Sequence, residues 1–221
     1  MNPSHQADAP PTLPRRARGR PRKTADERDD GNRRQDLLRA AAHLFRQQGY
    51  AATATRDIAA AAGMRSGSPF YHFDSKQALL AAVMLEGMQR ALRHQTERLA
   101  PADAPASERL RALVRSHFDV LLGPDSDFIP VMLYEWRSLT PAQRADVHAL
   151  RQRYEAAWLP VLQALHASGA LRGAPSLARL MIFGALNWSV QWYEARSDGA
   201  TLDDLTDTAL QLFLHDTASR P

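Results

Sequence analysis

The chain has 221 residues, of which 44% are apolar, no cysteine, and a formal net charge of +4. That length supports a real hydrophobic core. No apolar run reaches the roughly 18–20 residues that span a bilayer, the polar, Arg- and Pro-rich N-terminus is no secretory signal, and the lack of cysteine excludes disulfides, thiolate metal sites and cysteine nucleophiles. The expectation is a soluble cytoplasmic protein with no membrane partner. The charge is uneven. Residues 15–80 carry 14 Lys/Arg against 7 Asp/Glu, whereas residues 81–221 carry 14 against 16. A polyanion partner is expected for the first third alone.

Residues 1–30 hold "APPTLP", "RRARGRPRK" and "TADERDD" and almost no large apolar residue. This composition predicts a disordered basic tail. Its cations include Arg18, Arg20, Arg22 and Lys23. The run Arg18-Gly19-Arg20-Pro21 resembles an AT-hook core, in which Gly permits a narrow backbone and Arg enters a narrow minor groove. Non-specific phosphate attraction and simple solubilisation are the other readings of the same tail.

From about Asn32 the pattern is helical, with Leu37, Leu38, Ala41, Leu44 and Phe45 at spacings of three and four. Gly49 stops it. Thr55 is placed as the N-cap of a short helix with Asp57 in its first turn, ended by Gly63. "MRSGSPFYHF" follows. With Ser66 as N-cap, Pro69 falls at the third helical position, where a missing N–H is tolerated. Pro69 and Phe73 then share one side, Gly67 and Tyr71 face the other, and Phe70 and His72 flank them. An aromatic beside Gly and Ser in a basic region reads as a surface that meets a partner. Lys76 falls in the first turn of the next helix, where the dipole disfavours a cation. A phosphate there would satisfy both the lysine and the free N–H groups. Arg56 has a similar position in its own helix.

A long helical pattern runs from about Ser75 to Leu99, and Pro101 and Pro105 mark a loop. Further helices are expected near 107–121, 127–138, 141–168, 176–196 and 202–217. Thr140 before Pro141 and Thr201 before Asp204 are start signals, and Pro160 predicts a kink. The fold class is all-α, divided into the tail (1–30), a helix-turn-helix domain (31–77) and a helical domain (78–221).

Helix, short helix, turn and short helix make a helix-turn-helix with a support helix. The run "LLRAAAHLFRQQGYAATATRDIAAAAGMRSGSPFYHFDSKQALL", Leu37 to Leu80, resembles the TetR family of transcriptional repressors, through "LF..QGY..T", "IA..AG" and "YHF.SK..LL". The resemblance implies double-stranded DNA contacts at Thr55, Arg56, Ser66, Gly67, Ser68, Phe70, His72 and Lys76. The family more often has Leu at Pro69 and Tyr at Phe70. Phe70 lacks the hydroxyl that would reach phosphate; apolar contact with a thymine methyl or a core position remains for it, and adjacent Tyr71 offers a hydroxyl instead.

The remaining two-thirds holds all four tryptophans and several polar residues inside apolar stripes. Aromatics at helical spacing are ordinary core, but an apolar cavity with a few placed polar groups is what a small-molecule pocket needs. An effector pocket is expected from His117, Met132, Glu135, Trp136, Trp158, Leu162, Asn187, Trp188 and Gln191. Leu177, Leu180, Met181 and Gly184, with Leu205, Ala209, Leu212 and Phe213, form stripes suited to a four-helix homodimer interface. "YEWRSLTPAQR", "RYEAAW" and "GALNWSVQWY" resemble TetR members regulating fatty-acid, sterol or acyl-CoA catabolism. That likeness implies a bulky apolar or acyl-CoA effector. No Gly-rich phosphate loop, "HExxH" or Ser/His/Asp grouping is present, and the eight histidines are scattered. No enzyme activity, cofactor or metal is expected. The reading is a ligand-responsive repressor, dimeric on a palindromic operator and released by its effector; the alternative is an architectural DNA-binding protein that relies on the tail.

Overall fold

A computed structural model describes residues 25–64, 69–124, 126–194 and 199–215, and among them every regular element is helical. The order is α1 (Ala25–Ala52), α2 (Thr55–Ala61), α3 (Pro69–His72), α4 (Lys76–Arg98), α5 (Ala106–Leu122), α6 (Phe128–Glu135), α7 (Pro141–Glu155), α8 (Trp158–Ala167), α9 (Pro175–Trp188) and α10 (Leu202–Phe213). Short 3-10 turns, Trp136–Ser138 and Ser189–Gln191, follow α6 and α9. No described helix is long and apolar enough to cross a membrane.

Two apolar cores organise these helices. One gathers Leu37, Leu38 and Phe45 of α1, Ile58 of α2, Leu79, Leu80 and Met84 of α4, Ile129 and Val131 of α6, and Val147 of α7. The other joins Leu110, Leu113 and Phe118 of α5 to Trp158 and Leu162 of α8, Ile182 and Leu186 of α9, and Ala209 of α10. The 23-residue α4 touches α1, α5, α6 and α7, so it connects the N-terminal helices to the rest. At Gly87 a Cβ would sit 2.9 Å from the Cβ of Phe128, so a side-chain-free position admits α6 against α4.

Several boundaries differ from the sequence reading. α1 reaches back to Ala25, into the segment read as disordered; residues 1–24 lie outside the described residues. The line drawn between residues 77 and 78 falls inside the first turn of α4. Thr55 is the first residue of α2 rather than its cap, and the capping position is Ala54, which supplies no side-chain bond. The expected 141–168 helix is two helices. Pro160 is the third residue of α8, where its missing N–H costs nothing. Its ring would clash with the carbonyl of Ala156 in a continuous helix, so the chain breaks at Ala156–Ala157. Both expected start signals form: Thr140 and Gln143 close a capping box with Pro141 first in α7, and Thr201 and Asp204 close another.

Gly49 breaks α1 with φ 79° and ψ 160°. That region is open essentially to glycine alone. An alanine Cβ there would lie 3.4 Å from Glu135 Oε1, so space is available and only the backbone resists. Gly49→Ala is expected to lower unfolding stability by about 1–3 kcal/mol, read as a reduced urea midpoint at unchanged slope.

Candidate nucleic-acid interface and ligand cavity

The helix-turn-helix surface is carried by α2 and α3. Arg56 projects into solvent from the first turn of α2, 3.4 Å from Asp57, and Thr55 beside it is half-buried. On α3, Tyr71 is 82% exposed, with His72 edge-on at 5.3 Å. Phe73, two residues on, is buried, and the Arg34 guanidinium lies 5.0 Å over its ring. Phe73 thus fixes the segment inward and leaves Tyr71 outward. Helical backbone begins, among the described residues, at Pro69 and includes Phe70. Ser66, Gly67 and Ser68, and the tail residues Arg18, Arg20, Arg22 and Lys23, lie outside the described residues.

Two residues expected at ligand sites hold the broken end of α1. Lys76 Nζ donates to the carbonyls of Tyr50 at 2.8 Å and Thr53 at 2.9 Å, and lies 4.3 Å from the centre of the Tyr50 ring. The ammonium is thereby engaged within the fold. Its own helix start disfavours the ammonium, but the carbonyl end of α1 favours it. Glu135, expected in the effector pocket, lies outside the cavity described below. Its Oε1 accepts the Tyr50 N–H at 2.8 Å and its Oε2 accepts the Ser138 hydroxyl at 3.1 Å. The break at Gly49 removes the regular helical partner of that N–H, and the carboxylate replaces it. Burial, then the Glu135 charge, raises the Tyr50 phenol above its usual range. A second clasp lies just before α6: Asp127 accepts from Arg46 at 2.9 Å and pairs with His43 at 3.0 Å. Asp127 and Glu135 thus tie both ends of α6 to α1.

Ile129, Met132 and Leu133 of α6 line a cavity of about 370 Å³ between α4, α5, α7 and α9. Its apolar wall is Met88, Ala91, Val120, Ile129, Met132, Leu133, Leu180 and Phe183. His117 is buried at one side. Its Nδ1 lies 3.1 Å from the Tyr154 hydroxyl and its Nε2 lies 3.1 Å from Asn187 Oδ1. An amide oxygen only accepts, which assigns the ring proton to Nε2 and makes Nδ1 the acceptor from Tyr154. Burial pushes the His117 pKa down to about 4, against a smaller upward pull from Asn187, and burial raises the Tyr154 phenol. The triad is neutral near pH 7. A polar side is formed by His148, Arg151, Glu155 and Arg179, with Glu155 paired to both arginines.

Of the expected pocket residues, His117, Met132 and Asn187 line this cavity. Trp158 and Leu162 are fully buried in the second core, with the Trp158 indole N–H donating to Gln95 Oε1 at 3.0 Å. Trp136 borders an adjoining recess of about 230 Å³ with Met132, Leu133 and Arg151. Trp188 is exposed, and so is Gln191, which donates to the Tyr134 hydroxyl. Tryptophans at helical spacing reached core and surface as readily as the cavity because sequence period places a residue on a face without saying what that face meets. The reading missed Phe183, Arg151, Glu155 and Arg179. The available signal was Arg179 interrupting the apolar run of α9.

Among the expected interface residues, Leu177, Leu180, Gly184, Met181 (72%) and Leu212 (73%) are exposed. Leu180 also lines the cavity. Ala209 is buried, and Leu205 and Phe213 pack against the second core, because the inner face of the amphipathic α10 uses them. Among the described residues no cluster of His, Asp or Glu is placed to hold a metal ion.

The family model described as "Bacterial regulatory proteins, tetR family" matches residues 37–83, and that described as "Tetracyclin repressor-like, C-terminal domain" matches residues 103–217. The HTH-type transcriptional repressor KstR2 of Rhodococcus jostii (strain RHA1) is 29% identical over 199 residues, covering 88% of this chain and 95% of the relative. Among solved structures, the superantigen PfiT is 39% identical with a TM-score of 0.68, over 83% of this chain and 97% of that one. AibR in complex with isovaleryl coenzyme A and operator DNA is 26% identical with a TM-score of 0.72, over 82% and 97%. The helix-turn-helix, the helical domain behind it and both matched segments agree: the chain belongs to the TetR family of bacterial transcriptional regulators.

Proposed function

We propose that the protein is a dimeric repressor that binds a palindromic operator and is released by an apolar effector of the acyl-CoA type. The observation that carries this reading is the double use of α6. Ile129, Met132 and Leu133 face the cavity, while Asp127 and Glu135, at its two ends, grip α1. A ligand that fills the cavity better in one position of α6 than another biases α1, and with it α2 and α3. In a dimer the two α3 helices must meet major grooves one helical turn apart, about 34 Å. A small rotation of α1 is enough to lose that match.

The AibR structure, with a CoA thioester and operator DNA, supports both partners by likeness. The walls support an apolar ligand, and the neutral His117–Asn187–Tyr154 triad suits an uncharged acceptor such as a thioester carbonyl better than a second charge. Thr55, Arg56, Tyr71 and His72 are the described candidates for DNA contact, and Ser66, Gly67, Ser68 and Phe70 are the further candidates the sequence offers. Exposed Leu177, Met181, Trp188 and Leu212 support burial against a second copy. The basic tail adds salt-dependent affinity to this specific binding.

A gel-shift assay at fixed salt on the DNA upstream of the protein's own gene is expected to give a discrete complex that acyl-CoA dissolves. Binding without sequence preference, or none, would overturn the repressor reading. Met181→Asp is expected to shift the particle from dimer to monomer in light scattering and to weaken operator binding at least tenfold. Glu135→Ala removes a charge-assisted bond of about 1.5–3 kcal/mol from outside the cavity. It should leave effector affinity within threefold in calorimetry while raising the effector concentration needed for operator release at least tenfold.

A further inference from the structure

A second cleft, of about 450 Å³, opens between α4, α5 and the start of α6. Val120 and Ile129 line both this cleft and the apolar cavity, so the two spaces share a wall. Arg90, His94 and Arg98 recur at intervals of four along α4 and therefore face the cleft together, with Arg93 beside them.

Two features of the cleft are only weakly satisfied within the fold. Oδ2 of Asp119 is buried and has no hydrogen-bond partner. The nearest side-chain nitrogens, His94 Nε2 at 3.7 Å and Arg98 at 3.8 Å, stand beyond bonding distance. A buried carboxylate oxygen without a donor is costly, and a bound N–H or O–H would relieve it. Arg115 already compensates the charge through the other oxygen, so Asp119 does not repel an anion with its full charge. Secondly, Arg93 and Arg98 are exposed and only loosely paired, with carboxylates at 3.5 and 3.8 Å. Arg90 is different: it is bonded to Glu86 at 2.8 Å and stacked 4.3 Å over Phe128. Two available guanidinium groups and one unsatisfied acceptor in a single cleft match a ligand carrying phosphates together with amine or hydroxyl donors, which is a nucleotide.

We infer that this cleft is the site of the nucleotide diphosphate head of the effector. The phosphates meet Arg93 and Arg98, a donor of the base or ribose meets Asp119 Oδ2, and the acyl chain passes the Val120–Ile129 wall into the apolar cavity. The inference rests on the acyl-CoA reading above and adds to it where the head lies and what holds it. It also explains how a cavity of about 370 Å³ serves a ligand much larger than its acyl part.

The test is calorimetric titration of the full chain, at fixed ionic strength, with isovaleryl-, decanoyl- and stearoyl-CoA, each paired with its S-acyl pantetheine, which lacks the nucleotide. The wild type is expected to bind its preferred CoA thioester at least tenfold more tightly than the pantetheine counterpart. R93Q/R98Q should lose at least tenfold for the CoA thioester and keep its affinity for acyl-pantetheine. Both side chains are exposed, so the variant should melt like the wild type. Asp119→Asn, isosteric but presenting a donor to the ligand's donor, should weaken the CoA thioester selectively by several-fold. Equal binding of both thioesters by the wild type, or undiminished CoA thioester binding by R93Q/R98Q, overturns the head-group site and leaves the effector class standing. If no thioester of any length binds the wild type, the effector class itself falls, and this inference with it.

Discussion

The backbone break at Gly49 is the constraint on which the arrangement depends. It ends the support helix at a conformation closed to other residues, and it strips the next turn of ordinary helical partners. That turn is then completed from elsewhere in the chain. An anion, Glu135, takes the Tyr50 N–H, and a cation, Lys76, takes the Tyr50 and Thr53 carbonyls. Each charge stands at the end of the local peptide dipole that favours it. Thr53 adds a bond from its hydroxyl to the Gly49 carbonyl at 2.7 Å. Three separate stretches of chain thus meet at one broken turn, and the direction in which α2 departs from α1 follows from how they meet.

This makes α6 more than a wall. Its two ends are tied to α1 through polar bonds, and its inner face is apolar and borders open volume. Packed cores yield little to small displacements, whereas a helix bordering a cavity has room to move. The polar bonds are directional, which is the basis of the release mechanism proposed above. The chemistry of the cavity also divides along its walls. A neutral triad and aliphatic side chains occupy one part, and an Arg–Glu–Arg group another. Glu155 offsets one of the two guanidinium charges, so this side of the cavity keeps a net positive charge.

Legibility in the sequence was uneven, for physical reasons visible at particular residues. Leu37, Leu38, Ala41 and Phe45 announced themselves by period and are fully buried or nearly so. Thr140 and Thr201 announced caps, because a cap is a local bond between residues three apart. Pro160 announced a disturbance, and its position relative to Ala156 decided that this would be a break. Lys76 and Glu135 have partners that the sequence could not show, for a common reason. Each is an oddity in its own helix, a cation at a helix start and an acid in an apolar stretch, and an oddity reads as a ligand site. Both bond to the broken turn of α1, 26 and 85 residues away. The pocket residues were partly missed because Trp158, Trp188 and Met132 share one pattern but lie in core, solvent and cavity respectively.

By itself the sequence determined the all-helical class, the helix-turn-helix with its inward Phe73 and outward Tyr71, the main caps, and a family likeness strong over Leu37–Leu80. These depend on interactions within a few residues or on which side of a helix a residue occupies. Only the tertiary structure decided that Glu135 and Lys76 complete the Gly49 turn, that His117 is held neutral between Tyr154 and Asn187, and that the Arg93–Arg98 cleft shares a wall with the apolar cavity. Those facts depend on which helix faces which across long stretches of chain, and helical periodicity carries no information about the partner.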